Sequence, residues 1–105
     1  MGNIVKIQKR AELLLNQGNI DMALAYFQYA AQKYEKQGFI DETIDCHIKS
    51  AYCYEVDGRT DRAYEAYMDS AQLCLHKGDM NRYKELTKFA EQILKASIKE
   101  INHGR

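Results

Sequence analysis

Asp45, Cys46 and His47 are consecutive, and together they are the residue types a thiol hydrolase uses: carboxylate, nucleophile and base. Their spacing defeats that chemistry. Neighbours in sequence point about 100° apart on a helix, so no nucleophile–base pair forms among them. Cys46 and Cys53 are seven residues apart and share one side of a helix. A structural zinc site, however, takes four ligands, typically from close Cys or His pairs. Cys74 and His76 are two apart and diverge. Buried thiols acting as small apolar groups account for all three cysteines. The carboxylates Asp41 and Glu42 open a helix, where negative charge suits the helix dipole. Each glycine stands alone, so no phosphate-cradling loop is present. The expectation is a non-enzyme with no metal and no cofactor.

The bulk properties narrow the class further. The chain has 105 residues, enough for one domain over 1–105. Apolar residues make up 46% and charged residues 29%, a globular balance. The formal net charge is zero, which argues against a dedicated nucleic-acid binder. Charge is uneven along the chain, however. Residues 35–69 carry nine acids against four bases, and residues 70–105 carry seven bases against four acids. Such polarity can guide docking or head-to-tail association. No apolar run approaches the roughly 20 residues that cross a bilayer. The opening MGNIVK begins like an acylation site but has Lys6 where that motif wants Ser or Thr. An odd number of cysteines without framework spacing suits a reducing compartment, the cytoplasm by default.

The elements that carry these residues follow from a recurrence. Gly18, Gly38, Gly58 and Gly78 are spaced by twenty residues, and each is followed three residues later by Asp21, Asp41, Asp61 or Asn81. Glycine ends helices because it takes a left-handed conformation without steric penalty. Asp and Asn start them by accepting from free backbone N–H groups. The spacing predicts five helices near 3–16, 21–36, 41–56, 61–76 and 81–100, with those four residues as N-caps. Joints this short force neighbours to pack antiparallel. No stretch alternates with period two, so no sheet is expected.

Small residues recur at matching heights: Ala11, Ala31, Ala51 and Ala71 in one row, and Ala30, Ser50, Ser70 and Ala90 in another. Large ones interleave: Leu14, Tyr34 and Tyr54, then Phe27 and Tyr67. Small against large is how ridges enter grooves between helices. The fold class is therefore all-α, a stack of antiparallel helical hairpins. Tyr26 and Tyr29 do not both fit the packing rows; hairpin packing is the leading reading for them, and an exposed aromatic anchor for a partner is the alternative.

The run Ala51-x2-Tyr54-x3-Gly58-x4-Ala63-x3-Tyr67-x2-Ser70, matched by Ala11-x2-Leu14-x3-Gly18-x4-Ala23-x3-Phe27-x2-Ala30, resembles the tetratricopeptide repeat. The likeness covers roughly residues 4 to 77. The step is forty residues rather than the family's usual 34, closer to the repeats of soluble NSF attachment proteins. The family's Trp and closing Pro are absent, with Ile7 and His47 near the Trp positions. The resemblance implies a right-handed solenoid fragment whose first, third and fifth helices line a concave surface.

On helix 3 that surface would carry Asp45, Ile48, Tyr52 and Val56, flanked by Lys49 and Glu55. On helix 1 it would carry Gln8 and Glu12, with Val5 and Asn16. On helix 5 it would carry Lys88, Gln92 and Lys95, with Glu85 and Ala96. Gln8 and Glu12 stand where the family's clamp for C-terminal carboxylates has Lys and Asn, so no such clamp is expected. The leading expectation is a module that binds a peptide or protein segment there. A self-assembling unit is the second reading, because the N-terminal end of the stack lacks an evident polar cap and a dimer could cover it. A membrane-trafficking adaptor is the third. It would use Lys84, Lys88, Lys95 and Lys99, which cluster on helix 5 opposite the stripe of Leu86, Ala90, Ile93, Ser97 and Ile101.

Overall fold

Four glycines set the architecture. In the computed structural model, which describes residues 2–103, all four lie in the left-handed region, with φ between 78 and 90°. The helices between them are α1 (Gly2–Asn16), α2 (Ile20–Lys36), α3 (Ile40–Val56), α4 (Thr60–Lys77) and α5 (Met80–His103). No strand occurs among the described residues. At Gly58 the helix stop is explicit: Gly58 N–H donates to the Glu55 carbonyl at 3.0 Å and Arg59 N–H to the Tyr54 carbonyl at 2.9 Å. These two bonds are the Schellman pair, and they recur at the other three joints. A Cβ on Gly58 would meet no atom within 4 Å. Backbone conformation, not space, therefore reserves the position for glycine.

The helix starts differ from expectation by one residue. Asp21, Asp41, Asp61 and Asn81 are not caps; helices begin one position earlier, at Ile20, Ile40, Thr60 and Met80. Asn19, Phe39 and Arg59 occupy the cap positions and make no side-chain cap bond. The tight turn at each glycine feeds directly into the next helix, leaving one residue fewer between stop and start at the first three joints and two fewer at the fourth. The displaced acids act inside the first turn, where their charge faces the positive helix end. Two also tie joints together across the stack. Asp21 pairs with Arg59 at 2.9 Å, and Asp41 pairs with Lys77. Only the fourth joint has a side-chain cap, and Asp79 supplies it, accepting from Arg82 N–H at 3.1 Å.

Consecutive helices pack against one another in order. The expected small rows lie inside. Ala11, Ala31, Ala51 and Ala71 are at most 1% exposed, and Ala30, Ser50, Ser70 and Ala90 at most 4%. The two serines satisfy themselves by donating to carbonyls four residues back. Ile4, Ala30, Ala31, Tyr34 and Cys46 join α1, α2 and α3, while Ala51, Ala63, Tyr67 and Ala90 join α3, α4 and α5. Helix α3 thus contributes to the core on both of its sides. Tyr34 and Tyr67 are buried rings whose hydroxyls donate to Gln8 at 3.0 Å and Glu55 at 2.9 Å. Tyr29 is the surface tyrosine of its pair, while Tyr26 is half-buried.

Candidate binding faces

The odd-numbered helices place the expected site residues in three ways. Along α3, Asp45, Lys49, Tyr52 and Val56 are exposed, with Tyr52 keeping 46% of its surface. Ile48 and Glu55 are half-buried beside them. Glu55 already accepts the Tyr67 hydroxyl, and Arg82 reaches Asp45 at 2.5 Å. On α1, Gln8 and Glu12 are half-buried, and Gln8 is spent on Tyr34. On α5, Lys88, Gln92 and Lys95 are exposed.

The structure brings Ile48 together with Tyr67, Leu86 and Phe89 around an open groove of about 300 Å³ between α3 and α5. Arg82 and Glu85 line its remaining wall. Phe89 was absent from the sequence-based set, yet it is 40% exposed and stands edge-on to Tyr67 with centroids 4.9 Å apart. Its spacing could have revealed it, because it falls between Glu85 and Gln92 on one helical stripe. Lys88 and Lys95 lie roughly 100–120° further around α5 by helical spacing. They point away from the stack rather than into this groove.

The opposite side carries two grooves at equivalent places in the forty-residue unit. One, of about 260 Å³, lies over α3 between α2 and α4 and is polar: His47, Arg62, Glu65 and Asp69 are among its lining. The other, of about 380 Å³, lies between α1 and α2 and is apolar: Ile7, Met22, Ala25, Tyr26 and Tyr29. Subtracting forty from His47, Arg62, Glu65, Ala66 and Asp69 gives those five residues in turn.

Cys46, Cys53 and Cys74 are fully buried and unpaired. Burial pushes the Cys46 and Cys53 thiols up to about 11, with Asp45, Glu12 and Glu42 adding to the effect at Cys46. Such thiols stay protonated and unreactive near neutral pH. Among the described residues, no three of His, Cys, Asp and Glu gather as a metal site. No described helix is long and apolar enough to cross a membrane. Compared with family models, with curated proteins and with solved structures, the chain finds no match.

Proposed function

We propose that this chain is a non-catalytic protein-binding module that takes an extended or helical segment of a partner on the face formed by α1, α3 and α5. The observation that carries the reading is the groove between α3 and α5. Ile48, Leu86 and Phe89 offer it an apolar floor, and the neighbouring Tyr52 presents a half-exposed ring. Tyrosine combines a rigid apolar body with a polar tip, which suits a surface that meets water when empty. The resemblance to tetratricopeptide repeats supports the same face. Three buried free thiols support a reducing compartment, the cytoplasm by default.

The test is parallel affinity capture with three baits: the wild-type chain, Tyr52→Ala and Asp69→Ala. Asp69 belongs to the polar groove on the other side and serves as the control. A hot-spot tyrosine is worth about 2 kcal/mol, so Tyr52→Ala should weaken a captured partner about thirtyfold. A partner held equally by all three baits would remove the assignment.

A further inference from the structure

We infer that the apolar groove between α1 and α2 is a second docking surface, and that it takes an acidic amphipathic helix of another protein. The first sign is chemical divergence at one structural position. Where the second forty-residue unit places Arg62, Glu65 and Asp69, the first places Met22, Ala25 and Tyr29. Both Met22 and Tyr29 remain 47% exposed. Folding gains little from apolar groups left in water, and contiguous patches of them mark interaction sites.

Charge around the groove selects the occupant. Lys33 stands over the Tyr29 ring at 5.3 Å, and it lines a smaller adjoining groove that shares Ile7 and Tyr29 with the first. Lys6 and Arg10 are exposed on the edge of α1 next to Ile7. No acid lines either groove. The exposed carboxylate of Asp21, beside Met22 in sequence, pairs with Arg59 and is outside the lining of both grooves. An apolar trough with a basic rim and no acid fits a helix whose apolar stripe is flanked by Asp or Glu. A second copy adding its α5 end-on would bring Lys84, Lys88 and Lys95 against Lys6 and Arg10, which is repulsive. The surface is also a trough between two helices, whereas a lipid surface is met best by a protruding face.

The groove lies apart from Tyr52, so its test is separable from that of the odd-helix face. The probe is a fluorescent sixteen-residue helical peptide with leucines spaced three and four apart and glutamates on both flanks, read by anisotropy. A matched peptide carrying lysine flanks is the comparison. The glutamate peptide should bind at least tenfold more tightly than the lysine peptide. Tyr29→Ser with Met22→Ser should weaken it at least tenfold, and Lys33→Glu with Arg10→Glu should do the same while abolishing its salt dependence. Tyr52→Ala should leave it unchanged. Should the first pair of changes disturb the fold, the reversal of Arg10 alone decides, because Arg10 is exposed whereas Lys33 is half-buried. Equal binding of both peptides, no binding of either, or loss on Tyr52→Ala overturns the proposal. So does concentration-dependent self-association, or binding to vesicles of anionic lipid, that Tyr29→Ser with Met22→Ser abolishes, since each names a different occupant.

Discussion

Helices α3 and α5 occupy equivalent places in successive forty-residue units, yet they face different surroundings. On α3, Ile44 is fully buried, and Ala51 and the half-buried Ile48 pack against α4 and α5. The residues forty positions later are Lys84, Glu91 and Lys88, all exposed. The shared side is different again. Ser50 and Ala90, which face back into the stack from the two helices, are both within 4% of full burial. The helix facing neighbours on both sides is apolar or small on both. The helix at the end keeps only the side that touches the stack. A unit that needs neighbours to bury its faces must be closed by charge where the stack stops.

The N-terminal end is closed less completely. The α3 row of Thr43, Cys46 and Ser50, buried against the preceding unit, corresponds on α1 to Asn3, Lys6 and Arg10, all exposed. That is a polar cap which the sequence alone did not suggest. It covers α1 but not α2, where Met22 and Tyr29 remain open.

The strongest way to break the comparison is to exchange chemistry between the helices. Ala51→Glu would place a carboxylate in the apolar cluster of Ala63, Tyr67 and Ala90. An unpaired buried charge costs about 3–5 kcal/mol, enough to unfold a small domain. The mirror change on α5, Glu91→Ala, should stay within about 0.5 kcal/mol. Chemical denaturation of the two variants checks both values. Equal effects would mean that the two helices are not packed differently.

Alkaline titration probes the same difference through the α3 thiols. A thiol is neutral when protonated, and burial raises Cys46 and Cys53 from about 9 to about 11. The folded state therefore holds these protons after the unfolded chain has lost them. Their contribution is complete below about pH 9 and is lost as pH rises toward about 11, at up to about 1.4 kcal/mol per pH unit for each thiol. Denaturant midpoints at pH 8 and 10 should differ accordingly, and Cys46→Ala with Cys53→Ala should flatten that difference. Unchanged slopes in the variant would place both thiols in water.

Tyr67→Phe is expected to act more mildly. It removes one hydrogen bond to the half-buried carboxylate of Glu55 and leaves the ring packed on Phe89. Losing a bond of this kind costs about 1–2 kcal/mol. Tyr52→Ala, on the exposed stripe of the same helical pair, should cost less than about 1 kcal/mol in melting experiments. If the order reversed, Tyr52 would be a packing residue and the odd-helix face would lose its anchor.

The sequence carried the fold well for a physical reason. Gly58 is fixed by backbone conformation, and Ala51 and Ser70 by the closeness of adjacent helices, so residue type and spacing encode them directly. The helix starts were less legible. Asp21 looks like a cap by type, but a Schellman turn and an immediate restart place it inside the helix, and composition does not distinguish the two positions. The binding face was legible only in part. Tyr52 and Ile48 could be placed by counting along α3. Counting along α5 reaches Phe89, which shares a stripe with Glu85 and Gln92, but its contact with Tyr67 depends on how α4 and α5 meet. Likewise the apolar and polar versions of one groove become comparable only once α2 and α4 are known to be equivalent.

The smallest effect on stability should come from giving α5 the inner-helix residues. Lys88→Ile with Glu91→Ala restores on α5 the pair that α3 has as Ile48 and Ala51. Both positions are exposed, so the free energy of unfolding should move by no more than about 0.5 kcal/mol. Association should nevertheless change, because the end of the stack would then present an apolar face with less charge to keep other copies away. The contact made would be between unlike ends, and unlike-end contacts that do not close can continue into filaments. Sedimentation at several concentrations reads this directly. The wild-type chain should stay at one size and the double variant should grow with concentration. A variant that stays at the wild-type size would show that these two charges are not what separates the end helix from the inner one. The remaining Lys84 and Lys95 would then be the next to replace.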